Sequence, residues 1–522
     1  MDSTSRENPE ERAPESVADL VTRAASRVPE HPAIVDVTSG NTLSWEVLDG
    51  AVTAEAVRLA AAGVTAGDRV LVRLGNGAAF CVAVLGALRA GAIAVPLGPI
   101  AVARELEIVT DDCRPAAVVT AEGDGDAVRC AATVAGAVLP PPDVTARTDE
   151  QAPQVARGGD DIALLIYTSG TTGSPRGVRL SHRAVLANRE QAAALRPAPV
   201  TPVDRVLLSL PLFHVFGLAA GFLQVCWAGA TAVITERFEP EHVAAVLVEQ
   251  RVSGVAAVPT MFRSLLDLPP DRLRSATAGL RLCTSGGAPL PPQLLADFRA
   301  ATGLPIYEGY GLTEAGPVVT TTAIGGVAKP GSVGRALPGV ELRLVDPDGR
   351  PIDTVPEPDP EEIADDVFDP AQDTGLVAVR GPNLFSGYWP GGAGGPDADG
   401  WFVTADVGFL DADGDLHLVD RSSDLVIVNG FNVYPREVEQ VLAELPGVAE
   451  AAVVGVPDER SGEAVKAVLV LTGGAELTED EVRAHCVERL ARFKVPTVIE
   501  FIDALPRTPT GKVARRQLAG RS

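Results

Sequence analysis

The sequence predicts an α/β fold, and three observations predict it. Short apolar runs alternate with helix-length segments from about residue 17 to residue 310, the pattern of parallel sheets covered on both faces by helices. The chain has 522 residues, 46% of them hydrophobic, which allows a large core and more than one domain. After Asp424 the pattern changes to a compact mixed α+β unit. Aromatic residues are only 4% of the chain, so packing must rely on small aliphatic side chains.

The elements follow in order. Residues 1–15 are polar, with no apolar segment of a signal peptide, and read as disordered. A helix begins near Val17, and 31–37 is a strand. Ser44 supplies a capping hydroxyl for a helix reaching about Ala62. Gly67-Asp68 turns into a strand over 69–73, followed by a buried helix over 80–90 and a strand over 92–96. The alternation continues through 112–144. The apolar run 162–166 is a buried strand. Ser181 caps a helix reaching about Leu195. Strands follow at 206–210, 230–234, 254–258 and 281–284. Residues 217–234 carry no charge for eighteen positions, but their Gly, Ala and Gln content fits a buried helix plus strand better than a membrane span. In the last unit a helix covers 435–445, strands cover 448–456 and 465–471, and a helix covers 479–490.

Composition excludes several classes. A net charge of −25 argues against nucleic acid as a general partner. The six cysteines are scattered without a CxxC pair, which fits a reducing cytosol and gives no metal cage. No His-Glu-x-x-His and no Gly-x-Ser-x-Gly occurs, so zinc-protease and serine-hydrolase chemistry lack their residues. Residues 346–373 hold eleven acidic side chains, one arginine and six prolines, and read as a mobile loop between two strands.

The strand at 162–166 runs into YTSGTTGSPRGV, residues 167–178. Thr168, Ser169, Gly170, Thr171, Thr172 and Gly173 are small and rich in hydroxyls. Glycine lets backbone N–H groups converge on an anion, and Arg176 adds fixed charge. The stretch suits a polyphosphate, although no Gly-Lys-Ser/Thr makes it a Walker A loop. Alone, it reads equally well as a surface turn.

The whole string resembles the phosphate loop of the adenylate-forming superfamily, which includes acyl-CoA synthetases, firefly luciferase and peptide-synthetase adenylation domains. The family usually has lysine at Arg176. The resemblance extends over residues 44–518, through four further motifs in the family's order. It implies a large N-terminal domain over 16–422 with a β-barrel-like subdomain, and a small mobile lid over 423–522. It also implies a two-step reaction: a carboxylic acid and ATP give an acyl-adenylate and pyrophosphate, and a thiol then displaces AMP.

The first motif joins 285–289, with Gly286, Gly287 and Ala288, to 308–313, with Glu308, Gly309, Tyr310, Gly311 and Thr313. The resemblance implies that these hold adenine and the α-phosphate; by themselves they are ordinary strand-to-helix turns. The second is Glu314. A carboxylate beside phosphates calls for a cation, and the matching family glutamate binds Mg²⁺, with Thr168 nearby. A lone Thr-Glu pair is otherwise a common helix start. The third is Asp406 with Arg421, implied to hold the ribose; a structural ion pair is the rival reading. Ala405 replaces the family's usual glycine.

The fourth is 506–516, with Lys512 at the family's catalytic lysine. A cation there would stabilise charge as a carboxylate attacks the α-phosphate. Lysine occurs only at 329, 466, 494 and 512, against forty arginines, so its retention at 512 supports the assignment. Without the resemblance, Gly-Lys before Arg-Arg reads as a basic tail. The family's hinge falls at Ser423, where Asp or Lys is usual. Asn429 and Gly430 would line the thiol path.

The acid is expected to lack an α-amine. Where amino-acid-activating relatives have an aspartate, Phe213 is followed here by His214, and an unpaired ammonium in an apolar pocket is costly. His214, Phe216, Gly217, Ala315, Pro317 and Val318 are expected to line the acid site. A medium- or long-chain fatty acid is expected, with an aryl acid open. CoA is the expected acceptor and the phosphopantetheine of an acyl carrier protein the alternative. Residues 483–522 carry nine basic and three acidic side chains, a lip that suits either. A nucleotide-binding protein without catalysis is the remaining reading, opposed by Glu314, Asp406 and Lys512 together.

Overall fold

The computed structural model describes residues 13–153, 155, 157–168, 175–324, 326–352, 374–421, 426–428, 431–458, 462–490, 492–508 and 513–520. It forms two compact units. One comprises residues 1–341 and 380–402, the other 342–379 and 403–522. The boundary expected at 422–423 and the acidic residues 353–373 lie outside the described residues.

The first unit is built on two sheets. The nine-stranded sheet has a parallel centre of six: Pro32–Asp36, Thr231–Ile234, Arg205–Leu208, Gly254–Ala257, Leu282–Ser285 and Ile306–Gly311. Antiparallel strands close both ends. The six-stranded sheet has five parallel strands, ending in Ile162–Thr168, which pairs antiparallel with Arg176–Ser181.

Helices Trp45–Ala61 and Ala78–Arg89 share one core with apolar residues of both sheets. Ala78–Arg89 is apolar almost all round and buried from Phe80 to Leu88, as a helix covered on every side must be. The two helices pack closely: a Cβ at Gly86 would come within 2.3 Å of the Glu55 side chain. The expected caps are present. Ser44 Oγ accepts from Val47 N at 3.3 Å, and Ser181 Oγ from Ala184 N at 3.1 Å.

The uncharged stretch resolves into a π-helical segment Phe216–Leu223, a short helix Gln224–Ala228 and the strand Thr231–Ile234. Among the described residues no helix is long and apolar enough to cross a membrane. All six cysteines are free and buried.

Most of the four-stranded sheet of Glu341–Val345, Gly375–Arg380, Trp401–Leu410 and Leu416–Arg421 belongs to the second unit. That unit also contains a five-stranded sheet led by the long hairpin Val448–Asp458 and Gly462–Leu471. Helices Pro435–Ala443 and Glu479–Val487 join its core through Val438, Leu442, Val482 and Cys486.

Candidate active site

Strand Ile162–Thr168 delivers the loop that the sequence singles out, and Arg176–Ser181 takes the chain away from it. Thr168 and Arg176 face each other in register at the base of this hairpin. Ser169, Gly170, Thr171, Thr172 and Gly173 lie outside the described residues.

Residues 386–394 are pinned to the outgoing strand by main-chain bonds: Ser386 N to Arg179 O at 2.9 Å, Arg179 N to Gly387 O at 3.2 Å, and Trp389 N to Gly177 O at 2.8 Å. This places the Tyr388 ring under Arg176, whose guanidinium carbon is 3.6 Å from the ring centroid. The same tyrosine donates its hydroxyl to Glu314 Oε1 at 2.8 Å. Burial and the Glu314 carboxylate together push the phenol well above its ordinary pKa. Tyr388 thus bridges the loop's cation and the candidate metal-binding carboxylate. Sequence reading missed it; the available signal was a tyrosine, one of only five, beside a glycine.

Glu314 sits in the one-turn 3₁₀ segment Thr313–Ala315, which packs on strand Arg176–Ser181. Its backbone oxygen accepts from Phe385 N at 2.9 Å. Its second carboxylate oxygen has no protein donor among the described residues, and neither does the Thr168 hydroxyl. Such oxygen donors suit a hard divalent cation, so the residues present fit Mg²⁺.

Glu308, Gly309, Tyr310 and Gly311 lie on the last parallel strand of the nine-stranded sheet. Glu308 points away from solvent, where its Oε1 accepts from Leu290 N at 3.0 Å and so ties the strand to the turn after Ala288. Tyr310 and Thr313 are buried. Gly311 is required by close approach: a Cβ would come within 2.0 Å of Pro317 O. Gly286 and Gly287 lie against the Phe216 ring, 3.3 Å from a Cβ built at Gly286. This contact joins the turn assigned to the nucleotide with the segment assigned to the acid.

That segment is held by Asn76, whose amide donates to Leu210 O and accepts from Leu212 N, each at 2.8 Å. The chain then folds back so tightly that a Cβ at Gly217 would lie 2.3 Å from Pro211 O. His214 Nδ1 accepts from Phe216 N at 3.2 Å, which favours the neutral tautomer with its proton on Nε2. Of the other residues expected at the acid site, Ala315 and Pro317 are buried and Val318 is half-buried. Asn188 grips Val318 by both main-chain groups, at 2.8 and 3.1 Å.

In the second unit Asp406 and Arg421 are partners in the register of an antiparallel strand pair. Asp406 N donates to Thr404 Oγ1 at 3.1 Å. Lys512, Asn429 and Gly430 lie outside the described residues, as does Ser423. Two of the other three lysines have structural tasks: Lys466 pairs with Glu500 at 2.9 Å and Lys494 with Glu437 at 2.7 Å.

Residues 21–389 match the AMP-binding enzyme family, and residues 437–512 match the AMP-binding enzyme C-terminal domain. The chain belongs to this adenylate-forming family. A feruloyl-CoA synthase of an Amycolatopsis species is 36% identical over 492 residues, 92% of this chain and 94% of the relative. A long-chain-fatty-acid–CoA ligase of Yersinia pestis is 33% identical over 553 aligned positions, covering 96% and 94%. The crystal structure of ATP-bound MatB from Rhodopseudomonas palustris superposes with a TM-score of 0.87 at 33% identity, covering 96% of this chain and 98% of MatB. This adenylate-forming chain is an enzyme of the AMP-forming acid–CoA ligase class.

Proposed function

We propose that the chain activates a carboxylic acid without an α-amine, an apolar acid of medium or longer chain, and transfers it to CoA. In the first step a carboxylate oxygen of the acid bonds to the α-phosphorus of ATP. The bond from that phosphorus to pyrophosphate breaks. In the second step the CoA sulfur bonds to the acyl carbon, its proton is lost, and AMP leaves.

Residues 168–173 and Arg176 hold the triphosphate. Gly286, Gly287, Ala288 and 308–313 hold the adenine and α-phosphate, and Asp406 with Arg421 holds the ribose. Glu314 and Thr168 would hold Mg²⁺, which when bound offsets phosphate charge. Lys512 supplies the cation for the first step, a contribution on the order of 3 kcal/mol. The small unit carries it, and its rotation would bring Asn429 and Gly430 to the thiol path. His214, Phe216, Gly217, Ala315, Pro317 and Val318 bound the acid.

The observation that carries this reading is the chain of contacts Arg176–Tyr388–Glu314. It joins a fixed cation and an oxygen-donor carboxylate at the exit of the hydroxyl-rich loop. The named relatives act on feruloyl and long-chain fatty acyl groups, so their names do not choose the acid. The test is a panel of acids offered with ATP and either CoA or a carrier protein, with products identified by mass. An acyl-CoA from one class of acid supports the reading. Product only on the carrier protein would replace CoA as acceptor, and no thioester with either would overturn the reading.

A further inference from the structure

Arg189 is among the most deeply buried side chains in the molecule, with 1% of its surface exposed. It lies on helix His182–Ala193 and reaches the two stretches assigned to the acid. One Nη2 bond goes to Gly316 O at 3.3 Å, between Ala315 and Pro317, and another to Asn188 Oδ1. Nη1 donates to Gln224 Oε1 at 3.1 Å, just past the π-helical segment Phe216–Leu223.

All three acceptors are neutral, and no carboxylate pairs with Arg189 among the described residues. Burial alone pushes its pKa down to about 9, still charged at neutral pH. Its Nε–H and the Gln224 amide nitrogen are buried without a hydrogen-bond partner. The Gln224 amide cannot be flipped to cure this, because its oxygen already accepts from Arg189. A buried guanidinium is ordinarily paired, since an unpaired charge away from water costs several kcal/mol or more. Here a buried cation and two spare donors sit on two directly bonded side chains, donors of the kind that pair with an oxyanion.

Phe216, Ala220 and Gln224 follow one another four residues apart along the π-helical segment and its continuation. Phe216 and Ala220 are half-buried although the residues between them, 217–219, are fully buried. Val318, also half-buried, is held by Asn188, which accepts from Arg189. The half-buried positions therefore start at the ring against Gly286 and end at Ala220, one turn before the buried Gln224 that is bonded to Arg189.

We infer that the acid carries a second anionic group at its far end, a carboxylate or sulfonate, which pairs with Arg189 and Gln224 at the closed end of the acid site. This narrows the acid of the proposed function from a wholly apolar one to one with a charged far end, and it rests on the adenylation proposed there. The apolar body of the acid lies along Phe216, Ala220 and Val318, and Arg189 sets specificity without touching the reacting atoms.

The experiment is acid-dependent ATP–pyrophosphate exchange with matched pairs of acids over a range of lengths. Each monocarboxylate, such as hexanoate, is compared with its α,ω-dicarboxylate, such as adipate, and with its ω-sulfonate. The wild-type protein is expected to favour one doubly anionic acid by about tenfold or more in kcat/KM, the scale of one charge-assisted pair. The two doubly anionic arms tell carboxylate from sulfonate. In Arg189→Gln the preference is expected to vanish through KM, with the monocarboxylate rate retained and Arg189→Lys intermediate. A wild-type preference for monocarboxylates at every length would overturn the inference, and needs no folded variant. Equal loss on both acid types in a folded Arg189→Gln would do the same. Exchange with no acid at all is a separate outcome: it overturns the proposed adenylation and this inference with it.

Discussion

Replacing Tyr388 by Phe removes one oxygen and nothing else. The ring stays under Arg176, so the cation–π contact at 3.6 Å is retained, while the 2.8 Å bond to Glu314 Oε1 is lost. A hydrogen bond to an ionised carboxylate contributes about 1.5–3 kcal/mol. Both partners are only half-buried, so the lower figure applies, about tenfold in rate. The loss should fall on catalysis rather than on folding, because the main-chain bonds of 386–389 are untouched. The assay is ATP–pyrophosphate exchange at several Mg²⁺ concentrations, alongside thermal melting. The expected result is a roughly tenfold fall in kcat/KM for ATP, largest at low Mg²⁺, with little change in melting temperature. Exchange within about twofold of wild type at every Mg²⁺ concentration would refute the bridging role, because one lost charge-assisted bond should exceed that.

Three further outcomes are expected. Lys512→Ala should lower exchange by on the order of a hundredfold or more while ATP still binds by calorimetry; unchanged exchange removes Lys512 from the mechanism. Gly311→Ala should destabilise the protein by about 1–3 kcal/mol or more, because its Cβ would meet Pro317 O at 2.0 Å; a melting temperature equal to wild type contradicts this close approach. His182 is buried and accepts from Val17 N at 3.0 Å, and burial followed by nearby Arg157 pushes its pKa from 6.5 down to about 4. A depressed histidine gives stability that is complete above the unfolded value and is lost as pH falls from about 6.5 towards 4, roughly 2 kcal/mol of it by pH 5. Chemical denaturation across that window should show the slope, and His182→Gln should flatten it; an equal slope in both proteins assigns it elsewhere.

Much of the fold is legible in the sequence because its signals are local. Ser44 and Ser181 announce their helices through a hydroxyl in the right place, and the strand over 69–73 is bounded by Gly-Asp before it and a loop after it. The helix Ala103–Cys113 is not announced in this way. Val102 precedes it without a capping hydroxyl, and it ends at Arg114 in the left-handed conformation where glycine is usual. Strand Arg176–Ser181 hides behind Pro175 and Gly177, which read as loop punctuation although an antiparallel partner can begin directly after a turn. The uncharged stretch shows its burial in its composition, but its π-helical register depends on packing.

The site divides along the same line. Motif residues such as Glu314 and Thr168 become candidates because the stretches around them resemble the family's motifs, whereas a lone Thr-Glu pair reads as an ordinary helix start. Tyr388 and Arg189 do not become candidates, because their meaning depends on partners far away in sequence: Tyr388 lies 74 residues from Glu314, and Arg189 lies 127 from Gly316. An arginine within a helix reads as a solvated face until the structure shows it covered.

The central claim is that a carboxylic acid attacks the α-phosphate of ATP on this chain. Exchange of labelled pyrophosphate into ATP, with and without acid, measures that step alone and needs no thiol. The account predicts exchange that rises with acid, saturates, and stops when Mg²⁺ is chelated. Pyrophosphate exchange that is absent with every acid, although ATP binds, would contradict it.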